Sequence, residues 1–141
     1  MSRWLNRFQP AGILLLRLVL GVAMVSYGYE KVIPAGGFHG SNPWSALEHS
    51  AHFVATLGLP PWLGYVSALT EFVGGLFLIA GLLTRLTASL VLINMLVAIF
   101  LVTAHRGYHS SEYPIALAAI ALLLVFTGSG SAALDRKLGL S

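Results

Sequence analysis

Four long apolar stretches alternate with short polar breaks along the chain, at residues 11–33, 61–83, 86–104 and 111–127. Each is near the length needed to cross a bilayer as a helix. The last is the shortest and is expected to sit partly in the interface. Within the spans the polar positions recur at helical spacing rather than at random. Arg17, Gly21, Met24, Gly28 and Lys31 share a stripe of the first span. Ser67, Glu71, Gly74, Gly75 and Leu78 share one in the second, Thr87, Asn94, Ala98 and His105 in the third, and Glu112, Ala116 and Ala119 in the fourth. Lipid satisfies no polar group, whereas a neighbouring helix does, so these four faces are expected to converge. The predicted fold is all-α: an integral membrane four-helix bundle, with residues 1–141 as a single transmembrane domain.

The break from Pro34 to Pro60 is the only sizeable one. Asn42 and Pro43 read as a helix N-cap followed by proline in the first turn, and Gly58 before Pro60-Pro61 reads as a stop. The short helix between them is amphipathic. Trp44, Leu47, Ala51, Val54 and Leu57 lie on one face, and Ser45, Glu48, His49, His52 and Thr56 on the other. It is expected to lie on the membrane surface or to cap the bundle. A tight turn at Thr84-Arg85 joins the second and third spans, and the tail from Gly128 is expected to return to water.

Composition sharpens this picture. Only 9% of the 141 residues are charged and 57% are hydrophobic, against roughly 25% charged in soluble domains. The net charge of +3 includes no basic run, so nucleic acid is not an expected partner. Arg3, Arg7, Arg85, Arg136 and Lys137 fall on one side of the predicted spans, and Lys31 and Arg106 on the other. Both termini are therefore expected to be cytoplasmic and the long loop to face outward. The chain has no cysteine, which excludes a disulfide framework, thiol–disulfide chemistry by this chain alone, and thiolate-held iron–sulfur clusters.

Glu71 is the centre of the candidate chemistry. No other charge lies within ten residues of it, and a lone carboxylate in a span is costly unless it meets a partner or water. At 1.5 Å per residue, Arg17 lies about 10 Å and Glu71 about 20 Å from the cytoplasmic side. An extended arginine covers that difference, so Arg17–Glu71 is the expected buried pair. Two roles are open for it: a functional polar interior, or a device that fixes helix register. Nearer the outer surface, Lys31, Glu30, His105 and Glu112 form a second polar layer, with Tyr27, Tyr29 and Tyr113 beside it. His49 and His52, with Glu48, are weak metal candidates at one-turn spacing, and solvated loop histidines are the favoured reading. No nucleophile elbow or phosphate-binding glycine loop is present.

Several of these segments together resemble the DoxX family of small membrane proteins. Arg17-Leu18, Gly21 and Gly28-Tyr29-Glu30-Lys31 are similar to its first span, and Leu57-Gly58-Leu59-Pro60 to its pre-helix turn. Glu71-Phe72-Val73-Gly74-Gly75 through Gly81-Leu82-Leu83-Thr84-Arg85 resembles its most recognisable block. Glu112-Tyr113-Pro114 resembles the opening of its last span, and Gly128-Ser129-Gly130 with Leu134-Asp135 its closing motif, where Ser129 replaces the usual proline. The resemblance implies a four-helix inner-membrane protein of bacterial or archaeal type. It also implies relatives linked to thiosulfate:quinone oxidoreductase subunits and to complexes that handle sulfur or oxidative stress.

The first expectation for function is a redox subunit with a quinone head group in its polar interior. Arg17 and Glu71 would stand at the inner wall beside Asn94, His105 and Glu112 would relay protons, and Tyr27 would supply aromatic contact. Without a flavin or metal site, a redox partner protein would have to supply electrons. The alternatives are a non-enzymatic scaffold or assembly factor, and a carrier of a small solute or lipid-like molecule, for which four spans call for a homo-oligomer.

Overall fold

The computed structural model describes residues 2–34, 42, 44–103 and 106–140, with side chains from residue 6 onward. Among the described residues six α-helices follow one another: α1 (Ser2–Val32), α2 (Ser45–Thr56), α3 (Trp62–Ala80), α4 (Thr84–Ala98), α5 (Tyr108–Thr127) and α6 (Leu134–Leu138). A π-helical turn, Ile99–Thr103, prolongs α4. Among the described residues there is no strand. Four of the described segments are long and apolar enough to cross a membrane: Asn6–Val32, Trp62–Ala80, Thr84–Thr103 and Tyr108–Thr127. The all-α membrane bundle read from the apolar pattern is the architecture found.

The element ends differ from those expected in ways local chemistry explains. Proline removes one backbone donor, and α1 runs through Pro10 to start at Ser2 instead of beginning beyond it. Thr84 and Arg85 are not the turn between α3 and α4 but the first residues of α4. The turn is made one step earlier, by Gly81 at φ 69° and Leu83 at φ 48°. The first of these is a left-handed C-cap that suits glycine. The last span is 20 residues long, starting at Tyr108, so it is not a short one. Asn42 does not cap α2 but closes a turn ahead of it: its Oδ1 accepts from the Trp44 N–H at 3.1 Å, and Trp44 is the N-cap, with no side-chain cap hydrogen bond. Gly58, at φ 79°, ends that segment.

Helix α1 packs against α3 and α5, α4 against α3 and α5, and α2 against α3 and α1. Glycines set the closest of these approaches. A Cβ on Gly28 would stand 2.6 Å from Phe72 Cα, and one on Gly75 would stand 2.7 Å from Val25 N. The α1 and α3 backbones therefore touch, in the manner of small-residue seams in membranes. Gly64 does the same for α2, since its added Cβ would lie 2.6 Å from Ala51 Cα. Leu20, Met24, Leu78, Val91 and Leu124 fill the middle of the bundle and are fully buried.

The inner face expected for the last span is not the one used. Glu112, Ala116 and Ala119 are exposed, while Ser111, Leu117, Ala118, Ala121 and Leu124 are buried. Alanines occur on both sides of this helix, so small size carried no phase information there.

Candidate functional site

Two polar centres lie at opposite ends of the bundle, and the antiparallel register of α1 and α3 keeps them apart. Gly28 meets Phe72, Gly21 meets Gly75 and Ile79, and Arg17 meets Gly81. Ten residues of α3 separate Gly81 from Glu71, about 15 Å along the axis. Arg17 therefore does not reach Glu71, and the expected Arg17–Glu71 pair is not formed. The stripe on α1 was the right one, but its other cation makes the contact. The offset between the two side chains is set by the helix–helix register and not by how deep each residue lies in its own span.

Lys31 lies opposite Glu71, with its Nζ 2.7 Å from both Oε1 and Oε2. Asn94 on α4 donates its Nδ2–H to Glu71 Oε1 at 2.8 Å, and its own Oδ1 accepts from the Ser67 hydroxyl at 2.8 Å. Three helices thus contribute to one connected cluster. The Glu71 side chain is 4% exposed and that of Lys31 is 38% exposed, so the pair joins a buried carboxylate to a cation that still reaches the surface. Glu71 Oε2 has the ammonium beside it but accepts no well-aligned hydrogen bond among the described residues. Ser67 shares the helical face of Glu71, one turn before it. That spacing is the signal that would have ranked it with the candidate residues.

The cluster forms part of the wall of a cavity of about 390 Å³ between α2, α3 and α4. Its size falls in the range of small-molecule sites, about 300–1,000 Å³. Apart from Lys31, Glu71, Asn94, Ser67, Ser50 and Thr70, the lining is apolar, with Phe53, Leu63, Leu90, Ile93 and Val97 among it. Ser50, Phe53 and Val54 of α2 supply one wall, so this helix encloses the cavity. Ala98, Leu101 and Val102, at the π-helical turn, also contribute. Such turns are frequent at functional sites.

The other candidate residues lie elsewhere. Tyr27 is exposed on α1, and its ring stands 5.4 Å from that of Tyr113 on α5. Glu112 is exposed and accepts from His109 Nδ1 at 2.9 Å. Neither lines the cavity. His105 lies outside the described residues. Glu48, His49 and His52 are exposed on α2, and no three ligating side chains come together among the described residues.

At the opposite end the tail folds back under the bundle, burying Ser129, Ala133 and Asp135, while Leu134 and residues 136–140 are exposed. Arg17, 1% exposed, donates through Nη1 to the Ser129 carbonyl and through Nη2 to the Ala132 carbonyl at 3.1 Å. Asp135, 3% exposed, accepts the Leu83 N–H at 2.6 Å and the Thr84 N–H at 2.8 Å, and so caps α4 from 52 residues away. Its own N–H bonds the Gly81 carbonyl at 2.9 Å. Ser131 bonds Pro10 O through its hydroxyl at 3.1 Å. This role of Asp135 was missed. No capping side chain precedes Thr84, but Asp135 stands beside Arg136 and Lys137 in the sequence, so nothing local ties the two together.

Fold and polar interior together define a four-span helical membrane protein with a buried lysine–carboxylate–amide cluster. The family model for DoxX matches residues 12–104, more than half the chain, and the protein belongs to the DoxX family. It is 30% identical over 134 residues to a Bacillus subtilis (strain 168) protein named "Putative oxidoreductase CatD", an alignment covering 93% of this chain and 90% of that one. It is 25% identical over 138 residues to "Inner membrane protein YqjF" of Escherichia coli (strain K12), covering 95% and 97% of the two chains. No solved structure matches.

Proposed function

We propose that the protein is a redox-linked subunit of a bacterial-type inner membrane, and that the α2–α3–α4 cavity receives a quinone head group. The observation that carries this reading is one charged, hydrogen-bonded cluster set in the wall of an otherwise apolar cavity of ligand size. The donor set suits the group. Lys31 has N–H bonds beyond the one given to Glu71, and Asn94 Nδ2 has a second, so both can donate to a carbonyl oxygen. Glu71 Oε2 has acceptor capacity for a hydroxyl. A quinone supplies two-electron, two-proton chemistry when bound.

The chain's own part is to bind, orient and handle protons. Leu63, Phe53 and Ile93 exclude water, and Asn94, fixed by Ser67, sets the direction of the Glu71 carboxylate. Lys31 links Glu71 to the surface. An electron-donating partner protein belongs to this reading. So does a cytoplasmic location for both termini, because Arg3, Arg7, Arg85, Arg136 and Lys137 belong to the segments at their end, against Lys31 and Arg106 at the other.

The test is titration of a short-chain quinone analogue into the detergent-solubilised protein while following tryptophan fluorescence. Trp62 adjoins Leu63 in the cavity wall. Saturable quenching that is lost in Glu71→Gln and Asn94→Leu, and kept in Arg17→Gln, is expected. Unsaturable quenching, equal in all variants, would leave a scaffold in which the cluster only fixes register.

A further inference from the structure

A second cavity, of about 330 Å³, lies at the end of the bundle that carries both termini. Its walls are the start of the first span at Gln9, Pro10 and Ile13, the end of the last span at Thr127–Gly130, and the side chains of Arg85 and Arg136. Arg85 lies across the end of α5, where a Cβ on Gly128 would stand 3.3 Å from its Nε. Neither arginine makes an ion pair or a side-chain hydrogen bond among the described residues. Asp135, the one acidic residue at this end, is buried with both oxygens engaged by the N–H groups of Leu83 and Thr84. Glu30, Glu48 and Glu112 are at the far end, and Glu71 lies ten residues up α3 from Gly81, about 15 Å away.

We propose that Arg85 and Arg136 hold the phosphate of an anionic phospholipid in this cavity. Two guanidinium groups, each offering a planar fork of donors, match phosphate geometry better than a point charge would. The cavity lies where the first span enters and the last span leaves the apolar layer, which is headgroup depth. Ile13 and Pro10 give it an apolar floor. Phe126, 74% exposed beside Thr127, adds apolar surface at the level of the upper acyl chain. Free phosphate shares the headgroup's chemistry but gains nothing from this apolar surface. This site is independent of the α2–α3–α4 cavity.

The experiment uses the full chain in phosphatidylcholine nanodiscs, with and without phosphatidylglycerol, and counts lipids retained per protein by native mass spectrometry. The wild type is expected to retain phosphatidylglycerol over phosphatidylcholine. In R85Q/R136Q that preference should fall about twenty-five-fold, at about fivefold for each arginine near a bilayer surface. R85K/R136K should recover part of it, and R106Q, at the far end, should match the wild type. Equal retention by R85Q/R136Q and the wild type would overturn the site. Displacement of the lipid by millimolar inorganic phosphate, with the same thermal stabilisation, would overturn the lipid as its occupant. Should R85Q/R136Q fail to fold, the wild type decides alone, and an absent preference for phosphatidylglycerol overturns the proposal.

Discussion

Lys31→Met, Glu71→Gln and the double change form a mutant cycle whose outcome the register of α1 and α3 dictates. The ammonium lies 2.7 Å from both carboxylate oxygens, with Glu71 almost fully buried and Lys31 about one-third exposed. Breaking a fully buried pair by removing one partner costs about 3–5 kcal/mol. An exposed pair is worth about 0.2–1 kcal/mol. A pair with one end in each regime should show a coupling of about 2 kcal/mol, and Lys31→Met alone should cost a similar amount. The measurement is reversible unfolding in mixed micelles titrated with a denaturing detergent, followed by circular dichroism. A second cycle, Arg17→Met with Glu71→Gln, acts as the control. Those residues contact different elements at opposite ends, so their costs should add within about 0.5 kcal/mol. Strong coupling in the Arg17 cycle together with none in the Lys31 cycle would refute the register and the cluster built on it.

Three further outcomes are expected. Gly28→Ala should destabilise by about 1–3 kcal/mol because its methyl group meets the Phe72 backbone, whereas Gly12→Ala, with nothing nearby, should be neutral or gain up to about 1 kcal/mol of helix propensity; the same micelle titration reads both. Asp135→Ala strips two N–H groups of their acceptor, so it should cost about 1–3 kcal/mol and speed protease cleavage of the tail, seen by mass spectrometry of a timed digest. Asn94→Leu removes a donor from Glu71 and the acceptor of Ser67 and should cost about 1–3 kcal/mol, while leaving digestion of the tail unchanged.

The bundle was legible because a membrane span must satisfy its own backbone, which makes long apolar runs nearly unambiguous. The stripe of Arg17, Gly21, Gly28 and Lys31 was legible for the same reason, since polar and small residues at helical spacing seek a neighbouring helix. Which cation on that stripe meets Glu71 was not. That depends on how far α1 slides along α3, and the slide is set by Gly28 against Phe72 and Gly75 against Val25, a fit between two surfaces that neither segment shows alone. The facing of α5 failed for a different cause: Ala116 and Ala119 look as suitable for a seam as Ala118 and Ala121, and only packing separates them. Asp135 was misplaced because long-range capping leaves no local signature. Nothing near it in sequence points to Leu83 and Thr84.

Because the α1 and α3 main chains abut at Gly28 and Gly75, that half of the assembly behaves as a stator. It has no slack to yield when a guest arrives. On loading of the proposed head group, room is made by α4, which ends in a wider-wound turn, since α2 also abuts α3 at Gly64 and Ala51. A spectroscopic distance ruler from α3 to α4 should therefore lengthen on loading, while one from α1 to α3 stays constant.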